Sequence, residues 1–241
     1  MYPILLTVVA ALIVGLAKSG LKGTSVFAVV CLALAHGSKA STGIMLPLLL
    51  AGDVLAIWHY KRHVKWEYLI KCLPAVAIGV VFATWYGKDL NEESFKFWMS
   101  LIILCSVVII IWREWKKFAF VKDSLIVAIP LGLAIGFTTM IGNLAGGLSA
   151  LYFLATGLDK NDIIGTAAWL FFIINLFKLP FHIFIWKTIS VSSFVDNAYL
   201  IPVVILGFII GIYLVKKISE QNYRYFLIGV TTLSALIIIF E

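Results

Sequence analysis

Two interruptions in otherwise apolar sequence carry most of the chemistry that can be read from residue types alone. The first is Ala17-Lys18-Ser19-Gly20-Leu21-Lys22-Gly23-Thr24, and the second is Thr138-Thr139-Met140-Ile141-Gly142-Asn143-Leu144-Ala145-Gly146-Gly147. A helix that stops and restarts leaves free backbone N–H groups and a positive dipole end at its new N-terminus, and both favour an anion. Gly20, Gly23 and Thr24 at the first break, with Gly142, Asn143, Gly146 and Gly147 at the second, are therefore candidate anion-binding residues. Lys18 and Lys22 add positive charge beside the first break. The alternative is close glycine packing between helices, with lysines snorkelling to an interface.

Three further residues stand inside or beside long apolar runs. Asp53 can carry a coupling proton, pair with a lysine, or face headgroups as an interfacial acid. Lys178 lies one helical turn from Asn175 on the same face and can hold an anion, or can snorkel. His182 reads as an interface residue, and His36, Lys39, His59 and His63 fall in loops with no assigned chemistry. Cys31, Cys72 and Cys105 sit in apolar segments without metal-ligand spacing and read as buried small hydrophobes. Gly23-Thr24-Ser25 lacks the surroundings of a nucleophile elbow, and no zinc motif or nucleotide-binding loop is present, so neither an enzyme nor ATP-driven transport is expected. No cofactor or metal is expected.

The elements that position these residues must be membrane helices. The chain has 241 residues, 62% hydrophobic and 13% charged, with a mean hydropathy of +1.05; a soluble domain is about half apolar and a quarter charged. Runs such as Phe97–Trp112 and Leu200–Val215 hold no acid or base. About eight spanning segments of roughly 20 residues fit the length. The first stretch, Ile4–Leu16, lacks a basic flank and a cleavage site and is expected to stay in the mature protein. The net charge of +7 sits in short loops, so it reads as a topology signal and not as a nucleic-acid surface.

The chain also repeats itself. A shift of 122 brings Gly20 onto Gly142, Leu32 onto Leu154, Gly43 onto Gly165 and Asp53 onto Asn175. A shift of 128 brings Pro74 onto Pro202, Gly79 onto Gly207, and Phe95-Lys96-Phe97-Trp98 onto Tyr223-Arg224-Tyr225-Phe226. Two membrane repeats follow, 1–115 and 122–241, each with five apolar segments. The short early segments of each half either cross or re-enter. Either way each half crosses an odd number of times, so the halves have inverted topology. Lysine and arginine concentrate at 59–66 and 113–123, which places those loops in the cytoplasm and both termini outside. The fold class is thus an all-α integral membrane protein with interrupted or re-entrant helices, located as a multi-pass protein of the cell membrane, in a bacterial inner membrane. Its partners are the lipid bilayer and a small anion.

The run Gly15–Gly23, then Lys39-Ala40-Ser41-Thr42-Gly43-Ile44-Met45-Leu46-Pro47-Leu48-Leu49 and Asp53, resembles the sulfite exporter TauE/SafE family of membrane permeases. Gly136–Asn143 and Gly165–Trp169, with Asn175, Lys178 and Pro180, resemble that family's second repeat, and the likeness runs over roughly residues 10–240. Here Lys18 and Lys22 flank a single Gly20, where the family commonly has a glycine-rich run. The resemblance implies transport of small sulfur-containing anions such as sulfite or sulfonates. An anion channel, and a receptor or structural membrane protein, remain the alternatives from the residues alone.

Overall fold

The computed structural model describes residues 2–21, 24–115 and 125–217. Lys22, Gly23 and the expected last span at 223–240 lie outside the described residues. In chain order the helices are α1 (Tyr2–Lys18), α2 (Ser25–His36), α3 (Ser38–Tyr60), α4 (Trp66–Gly87), α5 (Glu92–Trp115), α6 (Leu125–Gly142), α7 (Gly146–Ala155), α8 (Lys160–Pro180), α9 (Val191–Ala198) and α10 (Ile201–Lys217). A 3₁₀ turn at Lys61–His63 follows α3, and a π-helical turn at Phe181–Ile185 extends α8. The described residues contain no strand.

Among the described residues four helices are long and apolar enough to cross a bilayer: Ser38–His63, Trp66–Gly87, Leu125–Gly142 and Asn161–Ile185. A fifth arises if Ser192–Ala198 and Ile201–Leu214, bent by 42°, form one broken span. By contrast α2 has 12 residues and α7 has 10. At 1.5 Å per residue these are about 18 and 15 Å long, short of a hydrocarbon core of roughly 30 Å. The outer surface is apolar, with Trp58, Ile126 and Phe184 more than two-thirds exposed, as befits helices whose solvent is lipid.

The tightest helix pairs are α4 with α6 and α1 with α10. Glycines make both seams, because only a missing side chain lets backbones approach this closely. A Cβ at Gly136 would strike the Val76 carbonyl and crowd Gly79 and Val80. A Cβ at Gly15 would strike the Val204 carbonyl and crowd Gly207 and Phe208, each the residue 128 positions beyond its counterpart at Gly136. Between the seams α3 packs on α8.

The ends of this central pair are fastened by polar contacts. The Glu92 carboxylate accepts from the backbone N–H groups of Ser38 and Lys39 at the start of α3, where a negative charge complements the helix dipole. Lys39 belongs to the first turn of α3 and not to a loop, and its ammonium donates to the Lys88 carbonyl at 2.7 Å. Only Gly37, with φ +87°, separates α2 from α3, and His36 closes α2. At the opposite end of the pair, Asp162 of α8 meets His63 at 3.2 Å and Lys65 at 3.1 Å. Between the π-helical turn and α10 stands α9, whose Ser190 and Ser193 form a capping box.

Candidate functional site

Each break is built by a residue that leaves right-handed helical geometry. Gly20, at φ +120°, ends the first helix of the chain, a conformation available to glycine at little cost. The Ser19 carbonyl that this leaves free accepts from the Tyr60 hydroxyl at 2.8 Å. At the second break Asn143 takes φ +56°, a left-handed state that asparagine tolerates better than most residues. The helices restart at Ser25 and Gly146.

A chain of polar side chains joins the two breaks through the middle of α3 and α8. Lys18 contacts Asp53 Oδ1 at 2.5 Å, and Asn175 Nδ2 donates to Asp53 Oδ2 at 2.7 Å. Lys178 Nζ donates to the Thr139 carbonyl at 2.9 Å, Thr139 Oγ1 at 3.3 Å, Asn143 Oδ1 at 2.5 Å and Asn175 Oδ1 at 3.3 Å. Asp53 and Lys178 are both fully buried. A buried ion is costly unless it is paired and hydrogen-bonded. Asp53 has its cation in Lys18, whereas every oxygen bonded to Lys178 among the described residues is neutral. By drawing both amide oxygens toward itself, Lys178 fixes which way Asn143 and Asn175 point. Asn143 Nδ2 then donates to the Thr42 carbonyl at 3.2 Å. An amide nitrogen has two N–H donors, so among the described residues each asparagine has one more to offer.

Beside this chain lies a cavity of about 70 Å³, several times the roughly 10–15 Å³ that one water needs. Lys18, Gly20 and Ser25 line it from the first break, Thr139, Asn143 and Gly146 from the second, and Asp53 and Asn175 from the central pair. Both restarting helices thus put their first residue, Ser25 or Gly146, at its wall. The site offers a neutralised carboxylate, the Lys18 ammonium with that of Lys178 behind it, amide donors and two positive helix ends, which is chemistry for an anion.

The sequence model of one protein family, described as Sulfite exporter TauE/SafE, matches residues 6–238, nearly the whole chain. The chain belongs to the sulfite exporter TauE/SafE family. It is accordingly a multi-pass membrane protein of a family that transports sulfur-containing anions. No curated protein and no solved structure matches it.

Of the residues singled out from the TauE/SafE sequence, Lys18, Gly20, Asp53, Asn143, Gly146 and Asn175 meet at one cavity. Lys178 stands directly behind it, bonded to three of the lining residues. Interfacial positions for Asp53 and Lys178 are excluded by their full burial. Gly142 is turned elsewhere: a Cβ there would press on Leu144 and approach Met99. Thr24 is buried and its hydroxyl donates to the Leu21 carbonyl at 2.8 Å. Gly147 is half-buried and does not line the cavity, and Lys22 and Gly23 lie outside the described residues.

Two expectations are corrected. His182 is not an interface residue: it is fully buried in the π-helical turn, its Nδ1 2.8 Å from the Thr188 hydroxyl and its ring edge-on to Trp186. The reason is its spacing: residue 182 stands four beyond the buried Lys178, on the same inner face of the helix. Cys105 is exposed while Cys31 and Cys72 are buried, since an apolar run in lipid has an outward face as well as an inward one. Thr139 and Ser25 escaped the sequence reading as site residues. Thr139 stands four positions before Asn143, on the same helical face, and Ser25 opens a helix after a break; those spacings were the available signals.

Proposed function

We propose that this protein is a secondary transporter that carries a small sulfur-containing anion, sulfite or a sulfonate, by alternating access through the cavity between the two breaks. One observation carries the proposal: a fully buried lysine, Lys178, held only by neutral oxygens among the described residues, directly behind a cavity walled by the first residues of two helices. With Lys18 and Lys178 protonated and Asp53 ionised, the cluster has one excess positive charge, which a monovalent anion would neutralise. The anion's oxygens would accept from the Lys18 ammonium, from the amides of Asn143 and Asn175, and from backbone N–H groups at the starts of α2 and α7. Lys178 would act as a positioning residue, through the two amides and through its field.

The proposal includes two inverted repeats, with the basic 3₁₀ turn after α3, which carries Lys61 and Arg62, in the cytoplasm. The matched glycine seams of α4 with α6 and α1 with α10 support that arrangement, as does the contact between Asp53 and Asn175, which stand 122 residues apart. Proton coupling would run through Asp53. A proton on Asp53 weakens its hold on Lys18 and raises the charge of the cluster by one, so proton and anion binding are linked. The test is uptake of radiolabelled sulfite and methanesulfonate into proteoliposomes, with and without a pH gradient. Saturable uptake accelerated by the gradient is expected. Flux that neither saturates nor responds to the gradient would contradict coupled alternating access and favour a channel.

A further inference from the structure

The cavity has two unlike walls. Along α8 the residues that line it fall three and four apart, on one helical face. They begin with Ile164, continue through Ala167, Ala168 and Phe171, and reach Asn175. That stripe is apolar over its first two turns and polar only where Asn175 meets Asp53. Leu49 and Ala56, which flank Asp53 on α3, are apolar as well. The boundary between the walls is marked by Lys18, whose ammonium reaches Asp53 while lying 4.9 Å from the centre of the Phe171 ring. Along α8 itself, Asn175 and Lys178 lie beyond Phe171 in one direction, and Ala168, Ala167, Ile164 and the end near Asp162 lie in the other.

An anion that is polar all round would satisfy one wall and turn hydrated oxygens toward the other. That mismatch is unfavourable, because oxygens facing an apolar wall lose water without gaining a donor. Resting on the anion-transport reading above, we infer that Ala167, Ala168 and Phe171 form a tail subsite, which selects a monovalent oxyanion bearing a short alkyl group. The oxyanion head lies at Lys18 and Asn175 and the tail points along α8 toward Ile164. The small cavity volume limits the tail to a short one.

The purified, monodisperse parent protein is titrated calorimetrically with sulfate, methanesulfonate, ethanesulfonate, hydroxyethanesulfonate and hexanesulfonate. Ethanesulfonate is expected to bind about threefold to fourfold more tightly than methanesulfonate, the increment of one buried methylene. Hydroxyethanesulfonate has the same charge and head and nearly the same size, and should bind about tenfold more weakly than ethanesulfonate because its hydroxyl is buried unpaired. Sulfate should be weaker still, and hexanesulfonate should not fit. Ala168→Leu, which fills the tail end, should cost ethanesulfonate most of its affinity while leaving methanesulfonate nearly unchanged. Should that variant fail to fold, the ligand series on the parent decides alone. Sulfate or hydroxyethanesulfonate binding as tightly as ethanesulfonate would overturn the tail subsite and leave the anion-transport reading standing. A parent protein that binds none of these anions, nor sulfite, would overturn both.

Discussion

Helices α3 and α8 cross at residues 122 positions apart, Asp53 and Asn175, yet they bring opposite chemistry to the crossing. α3 supplies a carboxylate that is neutralised by Lys18 from the first break. α8 supplies an amide and a lysine whose ammonium, among the described residues, holds the second break by neutral oxygens alone. The helix seams on either side are built alike, with glycines against matching residues. The difference teaches that packing is duplicated while charge is not. One break is closed by an internal ion pair, and the other keeps a lysine with no touching anion among the described residues. A site made this way favours a negative ligand without needing a second positive side chain in the cavity wall.

The largest expected effect tests the shared part of this comparison. Gly136→Val and Gly15→Val each push a side chain into backbone carbonyl on the facing helix. Overpacking among side chains costs about 1–3 kcal/mol, and a backbone obstacle yields less readily. Neither variant should be recovered as a monodisperse protein on size exclusion. Normal recovery of one but not the other would show that the two seams are not equivalent.

The charged part is tested next. Asp53→Asn removes the partner of Lys18, whereas Asn175→Asp adds a second carboxylate beside Lys178. Asp53→Asn is expected to reduce gradient-driven flux in proteoliposomes more than equilibrium anion binding. Asn175→Asp is expected to weaken anion binding directly, because the new carboxylate supplies the counter-charge that the ligand would bring. Equal behaviour of the two variants would break the asymmetry between α3 and α8.

A smaller effect separates the two breaks. Gly20 has φ +120°, so Gly20→Ala is strained by about 1–3 kcal/mol. A Cβ at Gly146 would meet nothing closer than the Ser25 hydroxyl at 3.8 Å. Gly146→Ala should therefore leave the thermal unfolding midpoint in detergent unchanged or slightly raised, while Gly20→Ala lowers it.

Much of this arrangement is legible in the residues and some is not. The helix breaks are, because Gly20 and Asn143 are among the few residue types that tolerate positive φ. The match of Asp53 to Asn175 is legible from the shift of 122, and an acid and a lysine within apolar runs identify themselves. The partner of Asp53 is harder to read: Lys18 lies 35 residues away, and three-dimensional packing alone selects it over the other basic residues near the breaks. The match of Gly15 to Gly136 is hidden because its offset of 121 slips one residue from that of the breaks. The role of Gly142 is also hidden, since a glycine in sequence does not say which face its missing side chain would have occupied. α9 is hard to read, because Ser, Asp and Asn content masks a helix of only 8 residues. His182 follows a proline, and nothing local announces the π-helical turn, although its spacing of four from Lys178 points to a shared face.

The most direct test of the anion site is the calorimetric affinity for methanesulfonate of the parent, of Lys178→Met and of Lys65→Met. Lys65 pairs with Asp162 at the edge of the bundle and is about half exposed, so its loss should cost at most about 1 kcal/mol of stability and leave binding unchanged. Lys178→Met keeps most of the length of the side chain and removes its charge. It should weaken binding by about 1–3 kcal/mol, or roughly 5- to 150-fold, in a protein that is still folded. Equal affinity in the parent and in both variants would place the anion away from Lys178 and leave the cavity between the breaks without its assigned ligand.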